Sequence, residues 1–271
     1  MNHIEISIST TNQNLQDIII ATLAEINYEG FEQNDTAVKA FIKEVEFNET
    51  ELEQALEPYQ LLFTKNIIAQ QNWNALWESN FDPVMVDDFV SIRANFHKPI
   101  TTTQHQIIIT PKMSFGTGHH ATTYSVMQLM RNIDFTNKNV FDFGSGTGIL
   151  AILAEKLGAK NILAVDYDDW CIENSLENID QNNCKETTIE KADNANVGKT
   201  FDIVIANINK NIIQDNFDAL HKCCKTATTI LLSGLLIEDE QDILQLANNK
   251  NWKHITTINK GAWIAMQFLN S

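Results

Sequence analysis

Nowhere among the 271 residues is there an unbroken run of about 18 apolar side chains, so no helix of this chain is expected to span a membrane. The opening MNHIEISIST has neither a basic start nor a long apolar stretch, and no secretory leader is expected. Cysteine is scarce: the four are Cys171, Cys184, Cys223 and Cys224, with no C-x-x-C spacing among them. A zinc site of the usual ligand spacing is therefore not expected, and free thiols in a reducing cytoplasm are. Bases are short as well, 19 Lys and Arg against 35 Asp and Glu, for a net charge of −16. A field of that sign argues against a nucleic-acid partner and suits a basic macromolecule, although plain solubility is its commoner use. The deficit is steepest in residues 1–70, where twelve acids face three lysines. Glycine numbers only ten, and five lie between Gly116 and Gly148, which concentrates backbone freedom in two loops.

What is present divides the chain in three. HIEISIST alternates as a half-buried strand does, and LQDIIIATLAEI spaces its apolar residues as a helix. YEGFEQND and AVKAFIKEVEF read as strands, ETELEQALEPYQ as a helix halted near Pro58, and LFTKNIIAQQ as a strand. The order β-α-β-β-α-β predicts a small α+β, ferredoxin-like domain over residues 1–70. Residues 71–99 read as a connector punctuated by Pro83 and Pro99, whose Trp73, Trp77, Phe81 and Phe89 serve domain packing or substrate binding.

From about residue 100 strands and helices alternate: QIIIT, ATTYSVMQLMRNI, NVFDF, GILAILAEKLG, NILAVD, DDWCIENSLENI, TTIEKAD, FDIVIANI, a helix from about Ile212 to Cys224, and TTILLSGL. The pattern predicts an α/β domain over residues 100–271 with a parallel sheet covered on both faces. KHITTINK and AWIAMQFL, parted at Gly261, are too close for a crossover and must pair antiparallel. The expectation is a seven-stranded, mostly parallel, doubly wound sheet ending in a reversed hairpin.

The segment VFDFGSGTGIL couples a strand to a turn with Gly144, Gly146 and Gly148 and then to a helix, the arrangement that admits a nucleotide to the backbone. Ile149 stands where the dinucleotide fingerprint needs a glycine, and Asp142 is a poor neighbour for a pyrophosphate but a good one for a cation. Asp166 ends NILAVD 22 residues after Gly144, where an acid accepts hydrogen bonds from ribose hydroxyls. Adenosine without pyrophosphate, carried on a cationic amino acid, is S-adenosylmethionine. Asp193, ending TTIEKAD, is placed either to reach the adenine amino group or simply as a loop aspartate. Asn207 closes FDIVIAN at the carboxyl edge of the sheet, where its amide can orient an amine or close a turn. Ahead of the glycine turn, Gly116 and Gly118 bend a loop leading to Thr122 and Thr123, both within reach of a cofactor. His119 and His120 are adjacent, a poor arrangement for one metal ion, and read as loop residues.

The stretches PKMSFGTGHHATT, NVFDFGSGTGILAILAEKLGAK, ILAVDYDDWCIENSLENIDQNN, FDIVIANI and LLSGLL together resemble the class I methyltransferases, and within them the ribosomal protein L-eleven (L11) methyltransferases. LAEINYEGFE and NWNALWESNFDP are more loosely similar. The resemblance implies cofactor contacts at Thr123, Gly144, Asp166 and Asn207, and a small N-terminal domain that holds the ribosomal protein. It implies a flexible connector that lets the catalytic domain approach several amines, the N-terminal one and lysines; with the amine held near Asn207, the loop from Phe115 to Thr123 is expected to close over the cofactor and substrate entrance. One catalytic domain with its own recognition domain is compatible with a monomer. The sequence departs from the family pattern at His119 (threonine), Ala121 (proline), Asn209 (leucine) and Lys210 (alanine). The rivals are a methyltransferase acting on RNA or a small molecule, a nicotinamide-dependent reductase, and an adapter without turnover.

Overall fold

Asparagines start both helices of the N-terminal region. Asn12 Oδ1 accepts the Leu15 amide at 3.2 Å and Asn48 Oδ1 the Glu51 amide at 3.4 Å, each satisfying a donor that a helix start leaves open. The computed structural model describes residues 2–68, 81–112 and 116–271, in two units, Met1–Asn80 and Phe81–Ser271. In the first, β1 (His3–Ser9), α1 (Gln13–Glu25), β2 (Gly30–Gln33), β3 (Ala37–Lys43), α2 (Glu49–Leu56) and β4 (Phe63–Ile68) follow the expected order. The sheet runs β2-β3-β1-β4, every pair antiparallel. Alternation turns Ile4, Ile6, Ile8, Val38, Ala40 and Ile42 to one face, where Ile19 and Leu23 of α1 and Leu52 and Leu56 of α2 cover them. Each fully buried Val, Leu or Ile among them contributes about 1.5–3 kcal/mol.

The second unit is α/β. Its main sheet is built from β8 (Asn139–Phe143), β9 (Asn161–Asp166), β10 (Thr187–Lys191), β11 (Phe201–Asn207), β12 (Cys224–Leu236), β13 (Trp252–Lys260) and β14 (Trp263–Asn270). The order is β10-β9-β8-β11-β12-β14-β13, with the first five parallel and β14 antiparallel to both neighbours. This is the expected seven-stranded sheet with its reversed hairpin. The helices α3 (Ala121–Met130), α4 (Ile149–Lys156) and α5 (Asp169–Gln181) share one core with the sheet. Helices α6 (Lys210–Asp215), α7 (Phe217–Lys222) and α8 (Glu240–Asn249) pack into a second core around Phe217, Ile243 and Trp252 on the opposite face.

Three elements differ from the sequence-based expectation. Residues 81–99, read as part of the connector, contain β5 (Val84–Val86) and β6 (Val90–Ala94), an antiparallel hairpin within the second unit. Phe89 is buried in that unit's core; Trp73 and Trp77 lie outside the described residues. The short alternation of Val84, Val86, Val90 and Ile92 is the signal that Pro83 and Pro99 outweighed. The expected strand QIIIT appears as β7 (His105–Ile109), but it pairs in parallel with β6 in a separate three-stranded sheet. Its other edge is satisfied by side chains of α5 and its C-cap: the C-cap Asn182 brackets the Ile108 N–H and C=O at 3.0 and 2.6 Å, and Asn178 Oδ1 accepts the Thr110 amide at 2.7 Å. Finally, the helix expected from about Ile212 breaks at Asn216, whose side chain accepts the Ala195 amide at 2.9 Å and donates to Ile212 O at 3.0 Å.

Candidate active site

At the carboxyl ends of the parallel strands lies a cavity of about 880 Å³. The glycine turn after β8 forms its floor. The amides of Gly144 and Ser145 both donate to Val165 O, at 2.9 and 3.0 Å, which folds the turn back onto β9. Gly144 has φ +76°, left-handed backbone that favours glycine, and a Cβ there would push Ile208 Cδ1, 2.8 Å away, from its place on the wall. Thr147 braces the turn from behind, donating its hydroxyl to Gly116 O at 2.6 Å and receiving Asn178 Nδ2 on its carbonyl at 2.9 Å.

Five of the sequence-predicted residues line this cavity: Thr123, Gly144, Gly146, Asp166 and Asn207. Asp166 is nearly buried at the tip of β9; its Oδ2 accepts the Gly146 amide at 2.8 Å and its Oδ1 the Asp168 amide at 3.1 Å. Asn207 is nearly buried at the tip of β11, and its Nδ2 donates to Thr123 Oγ1 at 3.3 Å across the sheet-to-helix gap. Its Oδ1, like the Ser145 hydroxyl on the same wall, is buried with no hydrogen-bond partner among the described residues. Both residues line the cavity, and leaving buried polar atoms unpaired costs about 1–3 kcal/mol each, so the site retains hydrogen-bonding capacity for a polar ligand.

The other three predicted residues are set apart from that wall. Gly148 begins α4 and packs against Ser175. Asp193 is exposed after β10 and accepts Asn194 Nδ2 at 2.7 Å. Asp142 lies beneath the turn, 1% exposed, and neither of its oxygens has a hydrogen-bond partner among the described residues. Burial and the neighbouring Asp166 push its carboxyl up to about 7, and the Ala151 backbone N–H offsets this only in part. Because the unfolded value is about 3.9, the folded protein holds the extra proton between roughly pH 4 and 7 and loses stability as pH rises through that window. Asp142→Asn is therefore expected to raise the midpoint of thermal unfolding at pH 8 and to change it little at pH 5. An equal shift at both pH values would refute this ionisation.

Sequence reasoning missed part of the wall: Tyr167 and Trp170, both exposed, stand beside Asp166, and Gly234 and Trp263 join His120 of the expected closing loop and Asn209 beside Asn207 on the side nearest β12 and β14. His120 is the N-cap of α3: its Nδ1 accepts the Thr122 amide at 3.4 Å and lies 2.8 Å from the Thr122 hydroxyl. No motif announces Trp263, which reaches the cavity only through strand pairing.

A protein-family model described as ribosomal protein L11 methyltransferase (PrmA) matches residues 3–271. The chain belongs to the ribosomal protein L11 methyltransferase family. It is 35% identical over 280 residues to the ribosomal protein L11 methyltransferase of Phocaeicola vulgatus, covering 99% of both chains. It is 36% identical over 266 residues to that of Porphyromonas gingivalis, covering 95% of this chain and 92% of the other. The crystal structure of the ribosomal protein L11 methylase from Lactobacillus delbrueckii subsp. bulgaricus superposes with a TM-score of 0.65 at 27% identity, covering 69% of this chain and 98% of that one. The fold of the second unit is the class I methyltransferase fold.

Within this L11 methyltransferase family member, the four departures have local explanations. His119 Nε2 lies 2.9 Å from Asp82 O and Nδ1 3.1 Å from the Thr117 hydroxyl, tying the loop to the start of the second unit. His120 caps the helix that Ala121 opens in place of proline. Asn209 Oδ1 accepts the Ile212 amide at 3.2 Å and starts α6. Lys210 turns to α8 and its approach, pairing with Asp239 at 2.8 Å and Asp242 at 2.6 Å, and these carboxylates hold its ammonium well above the ordinary lysine range. Among the described residues no helix is long and apolar enough to cross a membrane.

Proposed function

We propose that this chain is a cytoplasmic protein methyltransferase that transfers methyl groups from S-adenosylmethionine to amino groups of ribosomal protein L11. The observation that carries the reading is the unpaired, buried Asn207 Oδ1 on the wall of a cavity floored by a glycine turn and flanked by Asp166. When bound, the cofactor supplies a methyl group on a cationic sulfur, an excellent leaving group. The chain's own contribution is placement. Gly144 and Gly146 leave room at the floor, Asp166 offers its remaining lone pairs to the ribose hydroxyls, and Thr123 fixes the Asn207 amide so that Oδ1 faces the amine. Asn207 accepts a hydrogen bond from a neutral amine and aims its lone pair, and proximity of that kind supplies much of the acceleration. No covalent enzyme intermediate is needed.

The domains take separate tasks in this reading. Residues 1–70, with their excess of acids, hold the basic ribosomal protein, and the second unit, which starts at Phe81, binds cofactor and acceptor. The N-terminal amine and lysines of L11 are the acceptors, the protein acts as a monomer, and no nucleic acid takes part. Incubating the protein with purified large-subunit ribosomal proteins and S-adenosylmethionine, then weighing each product, should show L11 gaining multiples of one methyl mass. No gain on L11, with gain on RNA, another protein or nothing, would overturn the assignment.

A further inference from the structure

The charged groups on the cavity wall are unevenly placed. Asp166 and Asp168 both stand at the end of β9, and Lys112 is paired with Glu177 at 2.7 Å. Beyond Asn207, the wall formed by His120, Ile208, Asn209, Gly234 and Trp263 holds, among the described residues, neither a carboxylate nor a lysine or arginine. An amine-bearing side chain approaching from there meets an indole instead of an acid.

Register places that indole. Asn207 pairs with Ser233 and Ser233 with Ala265, so the three share a face of the sheet, and Trp263, two residues before Ala265 on β14, shares it too. Because β14 runs opposite to β11, Trp263 stands beyond the strand tips. The first turn of α3 holds both ends of this arrangement: Thr123 receives the Asn207 amide, and the His120 ring meets Trp263 edge to face, centroids 4.7 Å apart at 71°. The backbone is anchored as well, since Trp263 pairs with Leu236 and Lys260, and Ala262 O accepts the Ile237 amide at 3.0 Å.

We propose that Trp263 is the wall along which the acceptor side chain enters, its indole receiving the apolar stem and the amino group before the nitrogen reaches Asn207. A lysine suits such a wall, because its methylenes cover apolar surface while its ammonium is attracted to an aromatic face. The placement rests on the reading given under Proposed function. Trp263 positions the acceptor; it takes no part in breaking the methyl–sulfur bond.

Two measurements test it. With L11 as acceptor, Trp263→Leu should raise the acceptor KM about tenfold while the calorimetric Kd for S-adenosylmethionine stays within about twofold, and Trp263→Phe should restore most of the loss. An unchanged acceptor KM, or a cofactor Kd that rises in step with it, would overturn the assignment. The second measurement needs no turnover. Protein labelled with fluorotryptophan and saturated with S-adenosylhomocysteine is titrated with monomethyl-lysine amide, and the Trp263 resonance, identified by its loss in Trp263→Phe, should shift. The uncharged norleucine amide should move it far less. If L11 gains no methyl but the resonance shifts, the substrate reading fails and the amine wall stands; a resonance that ignores both probes sinks the wall.

Discussion

Gly234→Ala is expected to lower kcat/KM by about two orders of magnitude and to reduce the midpoint of thermal unfolding. Gly234 interrupts β12 with φ +84°, and a Cβ there would stand 2.2 Å from Ile208 O and 2.5 Å from Ile208 C. Both atoms are backbone, so no side chain can swing away. The segment just after Asn207 must move, and it is tethered to the same strand by the Ile208 amide donating to Ser233 O at 3.1 Å. A non-glycine residue in left-handed backbone adds strain of about 1–3 kcal/mol. The larger effect is geometric: displacing a positioning group by about 1 Å can lower a rate about 100-fold. Steady-state kinetics beside a thermal melt would check it, and a fully active Gly234→Ala protein would show that Asn207 does not need its present place.

Asp166→Ala is expected to raise the Kd for S-adenosylmethionine by at least about 100-fold. The ribose hydroxyls lose a charged acceptor, and hydrogen bonds to charged groups contribute about 1.5–3 kcal/mol each, where 1.4 kcal/mol is a factor of ten. The same change strands the Gly146 and Asp168 amides, so it also loosens the glycine turn. Asp166→Asn separates the two effects, because its single carbonyl oxygen can retain one of those amides while the charge is gone. Calorimetric titration should therefore rank wild type, Asn and Ala in falling affinity with both S-adenosylmethionine and S-adenosylhomocysteine. Equal affinity across the three would remove Asp166 from the ribose site.

The fold was legible wherever a local pattern repeats. Ile4, Ile6 and Ile8 alternate because the strand has a period of two, and the five parallel strands of the second unit's main sheet announce themselves as runs separated by helical periods. The hairpin of β13 and β14 followed from the shortness of its connection. Asn216 did not show itself as a break, since its role depends on an amide of Ala195 that is 21 residues away.

The same boundary runs through the site. Gly144, Asp166 and Asn207 could be named from spacing, because in alternating strand and helix the chain itself brings each strand tip to one rim. Asp142 and Asp193 share that spacing logic, yet one is sealed under the turn and the other faces solvent. Depth below a turn is set by packing from α4 and β9, which no local pattern encodes. Trp263 and Gly234 stand at the opposite limit. They belong to strands formed near the end of the chain, and only the insertion of β14 beside β12 and the contact of Gly234 with Ile208 carry them to the tip of β11. Local periodicity thus suffices for the sheet, its floor turn and the acid at the tip of β9, whereas the wall that carries Gly234 and Trp263 comes into being through contacts between residues far apart in sequence, where side-chain volume and strand register select the neighbours.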